Sequence, residues 1–254
     1  MSNVVSWITG DVGNICIESP PNNFFTPEII RDIVNQCYEI EKKSPWCIAI
    51  VISSVGKNFC AGMDMSTINS VRDRYTFAES VYREASRLFG LTVPLIAVVQ
   101  GAAVGGGMGL ACACDFRVAT HDARFVPNFT KLGIHPGFAL SRRLPQIIGE
   151  RKATDVLMRS VTMSSQEAAD IGLVDVLVEK DLGEGAMTIV RSFGELAPLA
   201  VRAVKGSMNR KLRSDLEATL RYELLEQNRL WATADATEGI QAFRDRRLPR
   251  FEGR

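Results

Sequence analysis

The sequence predicts an α/β protein, with a layered core of strands and helices followed by an all-helical C-terminal part. Three observations predict it. Short runs rich in Ile, Val and Ala, at residues 48–53 and 94–100, read as buried strands. Loops and helix-compatible segments separate these runs in a recurring strand–loop–strand–helix order. After a last strand pattern at 173–178, only helical periodicity follows.

The elements follow in order. Residues 4–8 and 14–18 read as a hairpin with its turn at 9–13. Thr26 is a candidate N-cap and Pro27 takes the first helical position. The helix over 27–42 gathers Ile30, Ile33, Val34, Cys37 and Ile40 on one side. A strand at 48–53, a loop at 56–64 and a helix near 76–89 come next. A strand at 95–100, a glycine loop, a helix near 107–113 and a strand at 115–119 follow. Residues 125–137 read as loop with short helical pieces. Helices are expected at 141–148, 151–159, 165–170, 184–196, 198–212, 214–231 and 234–244. A soft boundary near 194–198 divides a core over 1–194 from a helical region over 195–254.

Composition narrows the function. The 254 residues are 46% hydrophobic and 23% charged, with a net charge of +1. That is ordinary for a globular chain with a sizeable core, and nothing global points to nucleic acid or a membrane surface. No apolar run approaches the ~20 residues that span a bilayer. The N-terminus lacks a basic segment leading into an apolar one, so no signal peptide is expected. The six cysteines sit in apolar surroundings without a CxxC pair. They fit buried thiols in a reducing compartment, and the cytoplasm is the expected location. With only His121 and His135, a histidine-rich metal site is excluded.

Two glycine loops carry the chemistry. In Val104-Gly-Gly-Gly-Met-Gly109, three glycines stand between a strand and a helix, so backbone N–H groups are approachable. In Lys57-Asn-Phe-Cys-Ala-Gly-Met-Asp64, directly after strand 48–53, Cys60, Ala61 and Gly62 let a ligand lie against the backbone. The N–H groups of Met63 and Gly106 would then converge as an oxyanion hole, worth roughly 3 kcal/mol per donor. Neither loop has the spacing of a phosphate-binding Gly-x-x-x-x-Gly-Lys-Ser/Thr or a dinucleotide Gly-x-Gly-x-x-Gly loop.

With these residues go Cys114-Asp-Phe-Arg-Val-Ala119, Ala123-Arg-Phe125, Lys131-Leu-Gly-Ile-His-Pro-Gly137 and Ala168-Ala-Asp-Ile-Gly-Leu-Val-Asp175. Glu238-Gly-Ile-Gln-Ala-Phe243 and Arg247-Leu-Pro-Arg-Phe-Glu-Gly253 complete the set. On these stretches, in order over nearly the whole chain, the sequence resembles the crotonase, or enoyl-CoA hydratase/isomerase, superfamily. The resemblance implies a spiral of ββα turns and a C-terminal helical trimerisation region. It implies an acyl-CoA thioester as ligand, with coenzyme A entering as part of the substrate and no metal or redox cofactor. It also implies a homotrimer or a dimer of trimers, and places the thioester oxygen between the N–H groups of Met63 and Gly106.

The chain departs from the family at the two glutamates that handle water and the α-proton in its hydratases. One lies two residues after the triple glycine, where this chain has Gly109. The other lies four residues after the phenylalanine of Ala-x-Phe, where it has Phe129. Neither can move a proton, and general acid–base work typically contributes 10²–10⁴ in rate.

Two substitutes are candidates. His135 lies in a loop bordering the acyl group in relatives, as base or as donor to a carboxylate, against a plain loop histidine. Tyr82 lies on the helix where relatives with other chemistry place catalytic groups, against a half-packed tyrosine. Ala61, Gly62, Asp64, Gly105, Asn128 and Phe129 are expected around the substrate. Cys60 is discounted as a nucleophile, because nothing near it in sequence lowers its pKa. Lys205, Lys211 and Arg213 are read as solvated cations rather than coenzyme A contacts.

The expected function is an acyl-CoA-processing enzyme that stabilises a thioester enolate, by decarboxylation or C–C cleavage rather than hydration. Decarboxylation generates the enolate without a base. Two other readings stand beside it: a hydratase or isomerase whose base comes from residues 65–84, and an acyl-CoA-binding protein without turnover.

Overall fold

The computed structural model describes residues 3–64 and 70–254. Strands β1 (Val4–Thr9) and β2 (Val12–Ile17) form the expected hairpin, with a tighter turn than 9–13. Thr9 pairs with Val12, leaving only Gly10 and Asp11 between them, and Gly10 at φ +62° permits so short a turn. Helix α1 (Pro27–Lys43) is capped by the Thr26 side chain on the Ile29 N–H and buries the apolar face read from its periodicity. Strand β3 (Ala49–Ser54) pairs parallel with β2.

Helix α2 (Val71–Ser86) starts earlier than 76 because the Ser70 side chain accepts from the Asp73 N–H. Then come β4 (Leu95–Val99), β5 (Ala102–Val104), α3 (Gly106–Ala113), β6 (Phe116–Thr120) and β7 (Arg124–Val126). The strands β5 and β7 fall where the sequence read as loop. Three residues are too few to show a period of two; β5 pairs with β7, and β7 with β8.

The rest is α4 (Leu140–Ile148), α5 (Glu150–Met158), β8 (Met163–Ser164), α6 (Ser165–Asp170), β9 (Val176–Val178) and α7 (Leu182–Phe193). Leu173 and Val174 were expected in the last strand. Their N–H groups instead donate to Ala168 O and close α6. The two helices expected over 198–231 are one, α8 (Pro198–Trp231). No proline or glycine interrupts 212–215, and the Ser214 hydroxyl bonds back to Lys211 O at 2.8 Å without breaking the helix. Helix α9 (Ala234–Arg244) has its expected bounds.

The strands form two sheets climbed in step. The larger runs β1-β2-β3-β4-β6-β9 and the smaller β5-β7-β8. Each turn of the spiral leaves the larger sheet and touches the smaller: β4 into β5, β6 into β7, and β3 into Cys60, which bridges to Ala103. The central strands β3 and β4 of the larger sheet are buried on both faces along most of their length, which is why they read as continuous apolar runs, whereas β1 at its edge is largely exposed. Ile50, Ile52, Leu95, Ala97 and Val99 join the main core with α1 and α2. The alternate residues Val51, Ile96 and Val98 pack under Ala186, Ile189 and Val190 of α7. Among the described residues no helix is long and apolar enough to cross a membrane.

Candidate active site

The two glycine loops are held together by the spiral itself. Val104 donates to Cys60 O at 2.9 Å, Phe59 donates to Gln100 O at 2.9 Å, and Cys60 donates to Ala102 O at 3.2 Å. A third loop, carrying Phe24 and Phe25, is pinned to the first. The Asn23 amide donates to Val55 O and Asn58 O, Ala61 donates to Asn22 O, and Phe25 donates to Gly62 O at 3.0 Å. Gly62 takes φ +78°, and a Cβ there would lie 2.7 Å from Val104 O and 3.4 Å from Gly106 N. Gly62 therefore packs against the Val104 carbonyl more closely than any side chain would permit, with Gly106 beside it.

Gly106 opens α3, a helix whose residues 107–113 are all buried. Its first amides have no intrahelical partner, and the N-terminal end of the helix dipole favours negative charge. Among the described residues no backbone carbonyl accepts from the Gly106 or Met63 amide.

Met63 and Gly106 both line a cavity of about 500 Å³. Of the residues expected around a substrate, Ala61, Gly62, Met63, Asp64, Tyr82, Gly105, Gly106, Asn128 and Phe129 all line it. Asp64 is the one carboxylate among the described lining residues. The structure brings these together and leaves out His135. Its Nδ1–H donates to Pro136 O at 2.7 Å, and its ring packs edge-on against Tyr222, with centroids 5.8 Å apart. Ile134 and Gly137 line the cavity, while His135 between them does not.

Tyr82 is present at the site but engaged. It is buried, and its hydroxyl donates to Gln227 Oε1 at 2.8 Å, while Gln227 Nε2 donates to His135 O at 2.8 Å. Burial, with the Glu223 carboxylate as the next cause, pushes the phenol far above its ordinary range. Gly137 makes room for this pair: a Cβ there would collide with the tyrosine oxygen. Burial pushes the Cys60 thiol up to about 12, in keeping with its exclusion as a nucleophile.

Gly109 and Phe129, where the family resemblance leads one to expect glutamates, both lie in aromatic packing. A Cβ on Gly109 would lie 2.6 Å from Phe138 Cβ, so the space beside that residue belongs to Phe138. Phe129 is buried against the loop, with its ring 3.9 Å from where a Gly105 Cβ would stand.

Sequence reasoning missed Gln227 and Trp231, which reach the cavity from α8, and Phe243, Arg244 and Arg246 from the end of α9. Their spacing on α8 extends the stripe Leu216, Leu220, Leu224, and only a Gln and a Glu inside that buried stripe set them apart. It also missed Glu223. This buried carboxylate accepts from the Ala139 N–H at 2.8 Å, the Ser141 N–H at 3.0 Å and the Ser141 hydroxyl. Burial pushes its pKa up to about 7, against the lowering effect of those donors. Lys205 is not a solvated cation. It is buried, 2.7 Å from Asp115 Oδ2, and donates to Val93 O. No cluster among the described residues has the His, Cys, Asp and Glu groups to hold a metal ion.

Comparison with known proteins agrees with this architecture. Residues 8–254 match the family described as Enoyl-CoA hydratase/isomerase. A probable enoyl-CoA hydratase of Bacillus subtilis (strain 168) is 31% identical over 247 residues, covering 95% of each chain. A putative enoyl-CoA hydratase/isomerase of the same organism, YngF, is 34% identical, covering 91% of this chain and 90% of its own. The solved enoyl-CoA hydratase/isomerase of Pseudoalteromonas atlantica T6c superposes with a TM-score of 0.85 at 25% identity, over 98% of this chain and 100% of its own. The spiral of paired strands, the order of its glycine loops and these relatives lead to one conclusion: the chain belongs to the enoyl-CoA hydratase/isomerase family.

Proposed function

We propose that the protein processes an acyl-CoA thioester whose carbonyl oxygen is held by the amides of Met63 and Gly106, and that it forms the thioester enolate by breaking a C–C bond. One observation carries this reading: both positions that would hold the proton-transferring carboxylates are occupied by apolar packing, Phe138 beside Gly109 and Phe129 itself. Two amides without a base stabilise an enolate but do not make one by abstracting a proton.

Decarboxylation removes that need. In a thioester carrying a carboxylate on its α-carbon, the electron pair of the breaking C–C bond becomes the enolate, CO₂ leaves, and the enolate then takes a proton from solvent. An aromatic wall solvates the starting carboxylate poorly, whereas the charge formed in the transition state moves onto an oxygen facing the two amides. Hydrolytic C–C cleavage of a β-keto thioester uses the same enolate but also needs an activated water. Tyr82 serves here as an orienting group, since its hydroxyl is already engaged as a hydrogen-bond donor to Gln227 Oε1.

The test is a mass-spectrometric screen of acyl-CoAs that includes malonyl-type and β-keto thioesters. Loss of CO₂ or of an acyl fragment supports the reading. A protein that binds and does not turn over would leave every thioester intact.

Hydration is the second reading, favoured by the names of the relatives and by Asp64 at the cavity. Of the residues 70–84, Phe77, Ala78, Val81 and Tyr82 line the cavity and none is a carboxylate; residues 65–69 lie outside the described residues. Loss of enone absorbance from crotonyl-CoA, abolished in Asp64→Asn, would establish hydration and overturn C–C cleavage. A trimer or dimer of trimers is part of the proposal, supported by exposed Leu199, Met208, Leu225 and Leu248 in the C-terminal region. Sedimentation equilibrium tests it.

A further inference from the structure

The cavity is unusual in what lines it. The chain has 12 Phe, 4 Tyr and 3 Trp, and eight of these aromatic side chains border this one cavity. They are concentrated at the glycine loop itself. The Phe25 ring covers Gly106, where a Cβ would lie 2.2 Å from it, Phe129 covers Gly105, and Phe138 covers Gly109. Phe25 stacks on Phe77 with centroids 6.2 Å apart and planes at 21°, and lies 6.2 Å from Phe138 at 49°. Trp231 adds a further buried ring. A linear chain would be held equally well by Leu, Ile and Val, which are plentiful elsewhere in the core. Rings within 4.5–7 Å of one another gain from offset-stacked and edge-on geometry beyond their buried area, and a planar guest gains in the same way.

We infer that the acyl group this site takes is aryl-substituted, a planar ring close to the thioester carbonyl rather than a saturated chain. The inference rests on the thioester reading above and names its substrate class. The ring packs against the aromatic wall that Phe25, Phe77, Phe129 and Phe138 give the cavity. Tyr82 and Gln227 stand at the wall formed by residues 134–138, already bonded to each other and to the His135 carbonyl, so they shape that wall without demanding a charged group there.

The test compares phenylacetyl-CoA with octanoyl-CoA, which have the same number of acyl carbons, by titration calorimetry on the full chain. The saturated chain buries more flexible apolar surface, so burial alone favours octanoyl-CoA. The expected result is the reverse, with phenylacetyl-CoA binding about tenfold tighter, the equivalent of about 1.4 kcal/mol. Replacing a ring by an aliphatic side chain, in Phe77→Leu or Phe138→Leu, narrows that preference to about threefold or less. Octanoyl-CoA binding as tightly as phenylacetyl-CoA overturns the aryl assignment and leaves the thioester reading standing. An unchanged preference in both variants also overturns it. Binding of neither thioester, by protein whose circular dichroism shows it folded, overturns the thioester reading and this inference with it.

Discussion

Gly109 and Phe138 exclude each other's alternatives: a single methyl group on Gly109 would stand 2.6 Å from Phe138 Cβ and 2.9 Å from its Cγ. Room for a side chain at position 109 therefore depends on Phe138 as well. Ala in place of a helical Gly gains about 1 kcal/mol of helix propensity, but overpacking a buried position costs about 1–3 kcal/mol. The contact is to the root of the Phe138 side chain, which has no rotamer to escape into, so overpacking dominates. Gly109→Ala is expected to lower stability in urea, and Gly109→Glu to lower it further without gaining crotonyl-CoA hydration. Phe138→Gly removes that Cβ at a position whose φ of +63° suits glycine, and combined with Gly109→Glu it recovers part of the stability lost in Gly109→Glu. Urea denaturation of the four proteins checks this.

Gly62 bears on the paired amides from the other side. An alanine there adopts φ +78° at a cost of roughly 1–2 kcal/mol, and its methyl meets Val104 O at 2.7 Å. The strand bonds around Cys60 resist movement, so the loop tip yields and Met63 turns away from Gly106. Gly62→Ala should therefore lose turnover on whichever thioester the screen identifies by about 10²-fold or more, the scale for losing one oxyanion donor. Substrate binding, carried by the aromatic walls, should change far less. A kcat loss smaller than the loss in affinity would count against the two-amide arrangement.

Much of this was legible because it is local. Thr26 and Pro27 announced α1, the β3 and β4 runs announced a sheet buried on both faces, and both glycine loops stood out by composition. What was not legible depends on contacts distant in sequence. Lys205 sits in a run of charges on α8, and nothing near it says that it meets Asp115, ninety residues away. His135 and Gly137 are two residues apart, yet only the glycine reaches the cavity. No pattern in the loop records that. Gln227 and Glu223 look like stray polar residues in an apolar stripe until Tyr82 and Ala139 are brought beside them.

The Lys205–Asp115 pair is itself testable. Both groups are largely buried, and Asp115 Oδ2 also accepts from the Leu95 N–H at 2.8 Å. Removing one partner of such a pair strands the other, at a cost of about 3–5 kcal/mol. Lys205→Met should destabilise the protein on this scale in urea and leave affinity for coenzyme A thioesters unchanged. A loss of affinity without a loss of stability would return Lys205 to the ligand.

Glu223 gives the fold a pH dependence of definite sign. Its carboxyl is pushed up to about 7 by burial, against 4.5 for the ordinary group. The folded state therefore holds a proton that the unfolded chain releases above about 4.5. The stabilisation this gives is fully present below that pH and is lost as pH rises to about 7, after which it no longer changes; one pKa unit corresponds to about 1.4 kcal/mol. The carboxyl also carries the Ala139 and Ser141 N–H groups at the start of α4, where Phe138 and Ala139 take φ +63° and +58°. Glu223→Gln should remove this component, so the stability difference between native and variant protein should change with pH between about 4.5 and 7 and be flat above it. Urea midpoints at half-unit pH steps measure that difference. A difference independent of pH would mean that Glu223 is ionised throughout and acts as a permanent anion at the end of α4.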